Sequence, residues 1–210
     1  MSEGKALEKE KKAKAIARKA DIERNTTETK IKASVNLDGE GKYAIETGIG
    51  FFNHMLELFS KHSLIDVSLQ AKGDLRVDMH HTVEDCGIVL GQAIVKALGD
   101  KNGIARYGWE YVPMDESLAF CAIDLSGRPK LVFDAKFPLD RVGEFPTELV
   151  EEFFQAVANE LKANVHVKVV YGKNSHHMAE ALFKAFARAL RCAVEFDKRQ
   201  KFLPSTKGML

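Results

Sequence analysis

The chain is 210 residues long, 45% hydrophobic and 29% charged, and its 31 Lys and Arg against 30 Asp and Glu leave a formal net charge of +1 at pH 7. That length builds a hydrophobic core without disulfide staples, and the balanced charge argues against a surface devoted to nucleic acid or to a membrane. No apolar run reaches the roughly 18–20 residues of a membrane helix, and Cys86, Cys121 and Cys192 form no C-x-x-C pair and sit among apolar residues, so the expectation is a reduced, cytoplasmic protein that binds neither nucleic acid nor membrane.

Residues 1–22, MSEGKALEKEKKAKAIARKADI, are dominated by Ala, Lys and Glu and read as a charged N-terminal extension with few apolar positions. Alternation in TKIKASVNL and KYAIETGIG, with Asp38-Gly39 and Gly41 between them, predicts two strands joined by a turn. Phe51, Phe52, Met55, Leu56 and Phe59 fall at helical spacing and predict a helix over 51–62, after which IDVSLQAKGDLRVD predicts a second strand pair. A longer helix opens at His80, carries Val83, Leu90, Ala93, Ile94, Ala97 and Leu98 as its core stripe, and ends before Gly99. Further on, the pattern predicts strands at 117–124 and 130–137, a helix at 147–162, a strand at 165–171 and a helix from His176 to about residue 196. The order strand pair, helix, strand, helix therefore occurs twice. HHTVED at 80–85 and HHMAEA at 176–181 share the pattern HHxxE, each at the start of a long apolar helix. The chain reads as an internally duplicated α+β protein, with two βαβ-type halves over 23–103 and 104–210 forming one unit and helices packed on mixed sheets.

A histidine and a glutamate three or four residues on share a helix face and can converge on one ion. Adjacent histidines diverge by roughly 100° on a helix, so each HH pair serves two ions more naturally than one. His80, His81, Glu84, His176, His177 and Glu180 therefore suggest two metal sites, each assembled from both halves, with His54 and His166 as further candidate ligands. His62 reads as a hydrogen-bonded packing or surface residue. Imidazole-rich donors by themselves lean to zinc or iron. Three stretches suit an anion: DLSGRP offers Arg128, GIARYG offers Arg106, and PSTKG presents Ser205, Thr206 and Lys207 in a turn whose N–H groups can cradle a phosphate. Lys184, two turns along the His176 helix, can face the same place. Metals and anion-binding turns together suggest a phosphorylated small-molecule substrate.

The runs TGIGFFNHML, GDLRVDMHHTVEDCGIVLGQA, VPMDESLAFCAIDLSGRP, GKNSHHMAEALFKAFARALR and PSTKG closely resemble the imidazoleglycerol-phosphate dehydratase family, and the resemblance extends from about Arg24 to Leu210. It implies a duplicated fold of the ribosomal-S5-domain-2-like class and a hydro-lyase of histidine biosynthesis that converts imidazole glycerol phosphate to imidazole acetol phosphate. It further implies two Mn²⁺ ions per active site, other divalent metals being possible, and a 24-subunit homo-oligomer with sites at subunit interfaces. Carried over by position, it makes His54, His80, His81, Glu84, His166, His176, His177 and Glu180 metal ligands, and Arg106, Arg128, Lys184, Ser205 and Lys207 phosphate contacts. Glu28, in RNTTET, matches a family active-site glutamate and is the candidate base. Two positions depart from the family pattern: Asn53 stands where Asp is expected before His54, and Leu58 where some members carry Gln. A two-metal phosphoester hydrolase and an RNA-binding module compete with this reading, the former needing more aspartates and the latter a basic face interleaved with aromatics.

Overall fold

Strict alternation buries one face of two strands, through Ile31, Ala33 and Val35 in one half and Ala119, Cys121 and Ile123 in the other, and so fixes two sheets. The computed structural model describes residues 18–208. Its first half runs β1 (Lys19–Asn25), β2 (Thr29–Asn36), β3 (Tyr43–Glu46), α1 (Gly50–Ser63), β4 (Asp66–Gly73) and α2 (His80–Leu98). The second runs β5 (Tyr107–Met114), β6 (Ser117–Asp124), β7 (Lys130–Asp134), a short β8 (Arg141–Val142) and β9 (Phe145–Pro146) ribbon, α3 (Leu149–Leu161), β10 (Asn164–Tyr171) and α4 (Ser175–Val194).

The sheet orders are β1-β2-β4-β3 and β5-β6-β10-β7. In each, the first two pairings are antiparallel and the last is parallel. A parallel neighbour needs a crossover, which α1 supplies between β3 and β4 and α3 between β7 and β10. The two halves thus share one mixed topology, as the repeated HHxxE requires. Each crossover helix packs on the terminal helix of the other half, α1 on α4 and α2 on α3, while α2 covers the first sheet and α4 the second. Phe59, Phe153, Phe154, Phe183 and Phe186 interlock at this helix junction, with Phe153 and Phe183 centroids 5.1 Å apart and Phe154 and Phe186 5.3 Å apart. Gly87 and Gly91 let α2 approach α3 closely: a Cβ at Gly91 would stand 2.6 Å from Glu160 Cβ.

The duplication extends to individual side chains. Val35 pairs with Val67 and Ile123 with Val165, which aligns β4 on β10. The same register carries the buried Phe52, Met55, Leu56, Phe59, Ser60 and Ser63 of α1 onto Val150, Phe153, Phe154, Val157, Ala158 and Leu161 of α3, all buried as well.

Several expectations change in detail. IDVSLQAKGDLRVD forms one strand, β4, followed by a turn closed by Val77 N–H donating to Asp74 O at 2.8 Å. Residues 1–17 of the charged stretch lie outside the described residues, and the rest of it is built into the fold. Lys19–Ile22 belongs to β1, and Arg18, 8% exposed, donates to Asp38 and to Val194 O and lies over the Phe196 ring. β5 was not anticipated at all. Cys86 and Cys121 are buried free thiols and Cys192 is a partly buried one. No helix among the described residues is long and apolar enough to cross a membrane.

Candidate active site

Asn174 caps α4, its Oδ1 accepting the N–H of His176 at 2.9 Å and of His177 at 3.4 Å. One turn on, Glu180 Oε1 lies 2.9 Å from His176 Nε2 and 3.1 Å from His54 Nε2, contributed by α1. Ligand atoms of these three side chains all fall within 4.8 Å of one another. Glu180 Oε2 accepts a hydrogen bond from Lys184 Nζ at 2.5 Å. Burial pushes the Glu180 carboxyl up, but hydrogen bonds from Lys184, His54 and His176 together outweigh it and hold the group at about 2. Two imidazole nitrogens facing one ionised carboxylate form a donor set suited to a divalent metal. The adjoining cleft, about 530 Å³, lies between the start of α1 and the β8–β9 ribbon and is lined by Phe51, His54, Met79, Gly143 and His176. Met79 directly precedes His80, so the starts of both HHxxE helices border this cleft.

The paired histidines diverge as helix geometry demands: the rings of His80 and His81 meet at 87°, those of His176 and His177 at 80°. The second histidine of each pair engages a carboxylate through Nδ1. His177 Nδ1 lies 2.7 Å from Glu116 Oε2 and His81 Nδ1 3.0 Å from Asp74 Oδ2. Those bonds raise both imidazole pKa values, and the one from His177 brings Glu116 down to about 2. Glu28, in the turn between β1 and β2, stands with Oε1 3.9 Å from His81 Nε2. His80 and Glu84 are half-buried on α2 and join no group of three potential metal ligands among the described residues.

Sequence reading missed one counterpart that the duplication supplies. The register that lays α1 on α3 places His54 on Glu152, which is half-buried on α3, the helix packed against α2. The shared spacing of buried positions in the two crossover helices was the available signal. Glu116 stands at the position of Glu28 when Arg24–Ile31 is laid on Val112–Ala119, while Asp74 carried no signal beyond lying in a turn.

The remaining candidates lie elsewhere. Arg106 spends its guanidinium on Asp124, at 2.6 and 3.1 Å, and on Pro204 O at 2.6 Å, tying the C-terminal segment to the start of β5. Arg128 is exposed in the turn after Ser126, while Lys207 N–H donates to Ser205 Oγ at 3.2 Å in the exposed tail that also carries Thr206. The eight-residue strands β5 and β6 separate this end from the Asp115–Glu116 turn, a span of roughly 25 Å. His166 occupies an exposed position on the outer face of β10, paired with Ala122 and Val132, apart from His54, His176 and Glu180. Lys184 alone of the anion candidates reaches the cluster, and there it pairs with the ionised Glu180. Asn53 Oδ1 accepts Thr47 N–H at 2.9 Å and the Thr47 hydroxyl at 2.5 Å, so it pins the chain entering α1. Leu58 packs against the core.

The fold and the site define a duplicated α+β protein whose matching helix starts gather imidazoles and carboxylates beside one cleft. The family model described as imidazoleglycerol-phosphate dehydratase matches residues 47–190, and the chain belongs to that family. It is 60% identical over 191 residues to the imidazoleglycerol-phosphate dehydratase of Clostridium botulinum, covering 91% of this chain and 97% of that protein. The crystal structure of the Staphylococcus aureus enzyme of that name superposes with a TM-score of 0.78 at 42% identity over 85% of this chain and 99% of the other. The Pyrococcus furiosus structure gives 0.78 at 34% identity over 90% and 100%.

Proposed function

We propose that this chain dehydrates imidazole glycerol phosphate to imidazole acetol phosphate in histidine biosynthesis, using bound divalent metal, Mn²⁺ in the first instance, in the reducing cytoplasm that its free thiols suit. The observation that carries the reading is the convergence of His54, His176 and Glu180 beside a cleft, in a chain 60% identical to a protein named for that reaction. Those three residues would hold one ion. His80 and Glu84, with Glu152 in the place of His54, offer the matching set for a second. His81 and His177, engaged through Nδ1, would offer Nε2 to a metal shared with another subunit. His166, on an outer sheet face, would serve only toward a neighbouring copy.

Loss of water from this substrate needs a base for a weakly acidic C–H and charge neutralisation at the departing hydroxyl. A metal held by these residues would supply Lewis acidity toward the substrate. Glu28 accepts the proton, its carboxylate held at the edge of the His81 imidazole. Lys184 keeps Glu180 charged within its buried surroundings. Arg106, Arg128, Ser205, Thr206 and Lys207 take the phosphate, aligning the carbon chain with the base. Their distance from the His54 cluster within one chain supports a site to which a second subunit supplies them, in keeping with the 24-subunit assembly implied by the family resemblance.

The test is turnover of imidazole glycerol phosphate by chelator-stripped protein with and without Mn²⁺, following ketone and inorganic phosphate together. Ketone formed only with metal, and no phosphate released, is the expected outcome. Phosphate release in place of ketone, or no turnover with any divalent metal in a folded protein, rejects the reading.

A further inference from the structure

Asp85 follows Glu84 on α2 and is 5% exposed. Its Oδ1 accepts from Arg24 Nη2 at 3.0 Å and Nε at 3.2 Å, and its Oδ2 accepts the Thr29 hydroxyl. Arg24 lies near the end of β1 and Thr29 begins β2, so one buried carboxylate grips both sides of the turn that carries Glu28. Inside the turn, Thr26 N–H donates to Thr29 O at 2.8 Å, and Thr26 Oγ1 accepts the N–H of Thr29 at 2.9 Å and of Glu28 at 3.2 Å. The chain is thereby fixed on either side of Glu28, and the anchor is the same helix that bears His81.

The second half serves as an internal control. The pairings Arg24 with Ile31 and Val112 with Ala119, together with HHTVED and HHMAEA, set Arg24, Thr29 and Asp85 against Val112, Ser117 and Ala181. There the matching hairpin, β5–β6, packs on the matching helix, α4, through apolar and small residues, with no ion pair at these positions. The architecture therefore does not need the Arg24–Asp85 pair, and a buried ion pair is weak support for stability compared with apolar packing. The same register sets Glu28 against Glu116, whose carboxylate is held instead by the N–H groups of Lys173 and Asn174 at 3.2 and 2.8 Å; only the half with the pair carries the glutamate matched to the family's active site.

We propose that Asp85, acting through Arg24 and Thr29, is a positioning residue that holds the Glu28 carboxylate in register with His81 and so sets where the substrate proton is taken. This rests on the reading of Glu28 as the base. A misplacement of the order of 1 Å costs up to about 100-fold in rate, so Asp85→Asn and Thr29→Val should each lower kcat about 10- to 100-fold. KM and metal content per subunit, measured by atomic absorption, should stay unchanged. Thr29→Val removes the hydroxyl's hydrogen bonds to Asp85 and to Thr26 Oγ1 and leaves the ion pair, so it carries the test if Asp85→Asn fails to fold.

The deciding measurement is a double-mutant cycle with Glu28→Gln. Little further loss of kcat on the Glu28→Gln background supports the clamp, because its effect then passes through Glu28. Equal losses on both backgrounds, lost metal in Thr29→Val, or an unchanged kcat in the clamp variants overturns it. Wild-type kcat in Glu28→Gln alone instead removes the base reading, and the clamp with it.

Discussion

At the scale of single residues, some carboxylates hold backbone and others hold imidazole. Asp66 belongs to the first kind: its Oδ1 accepts Glu40 N–H at 2.8 Å and Lys42 N–H at 2.9 Å, and its Oδ2 accepts from Asn36 at 3.2 Å. Burial raises its pKa, but these hydrogen bonds win and leave it below the ordinary 3.8. A carboxyl lowered by folding stabilises the fold above its unfolded pKa, and that stabilisation fades as pH falls through the folded value. Asp66→Ala should cost about 1 kcal/mol at pH 7, allowing for partial exposure. The gap to wild type in urea melts should shrink below about pH 3.5; a constant gap down to pH 2 would show that the loss comes from packing alone. Glu180, Glu116 and Asp74 are of the second kind, and the prediction there concerns metal. His54→Ala and Glu152→Ala should each lower bound Mn²⁺ per subunit at equilibrium dialysis, whereas His62→Ala, which removes no candidate ligand, should not. Full Mn²⁺ binding by Glu152→Ala would show that the pseudo-symmetry between α1 and α3 stops at the core.

At the scale of elements, α2 and α3 touch through Gly87 and Gly91, one turn apart on α2. Alanine is the better helix former by about 1 kcal/mol, yet a Cβ at Gly91 meets Glu160 Cβ at 2.6 Å and Val157 O at 3.2 Å. Overpacking of that kind typically costs about 1–3 kcal/mol, so Gly91→Ala should destabilise the protein; a raised melting temperature would mean that the helices part without loss. Sequence alone showed the helices, the central strands β2 and β6, and the duplicated HHxxE, because each rests on a local period or a repeated string. It hid β5 because the large residues Tyr107, Trp109 and Tyr111 face outward, and Gly108, Glu110 and Val112 stand on the inner face. It hid β1 because Ala20 is that strand's one buried residue. Of the site, the residue types were legible, but the crossing of α1 over α4 that brings His54 to Glu180 is a tertiary event with no local signature. Arg106 shows the same limit: GIARYG offers it as an anion contact, but nothing local announces that its guanidinium also binds Asp124 and Pro204 O within the chain.

At the scale of the whole molecule, one chain holds all the candidate parts and does not bring them together. Glu28, His54, His81 and His176 lie at the helix-start end, while Arg128 and the tail with Lys207 lie at the far end of β6. The outer face of the second sheet also leaves Tyr107, Trp109 and Tyr111 between 51% and 65% exposed, a large aromatic area for a surface without a partner. Both features fit an assembly in which one subunit completes another's site. Composite sites have a kinetic signature, because two inactive variants can lend each other intact halves. Glu28→Gln and Arg128→Ala should each be nearly inactive alone. Coexpressed at equal levels, they should recover up to about a quarter of wild-type turnover, as random mixing of subunits pairs an intact Glu28 with an intact Arg128 in about one interface in four. Size-exclusion chromatography of differently tagged subunits establishes that mixed particles have formed. Mixed particles without recovered turnover would mean that Glu28 and Arg128 do not act across a subunit boundary, and the phosphate would then have to be held by residues nearer the cleft, of which Lys173 and Arg141 line the neighbouring wall with His176 and His177.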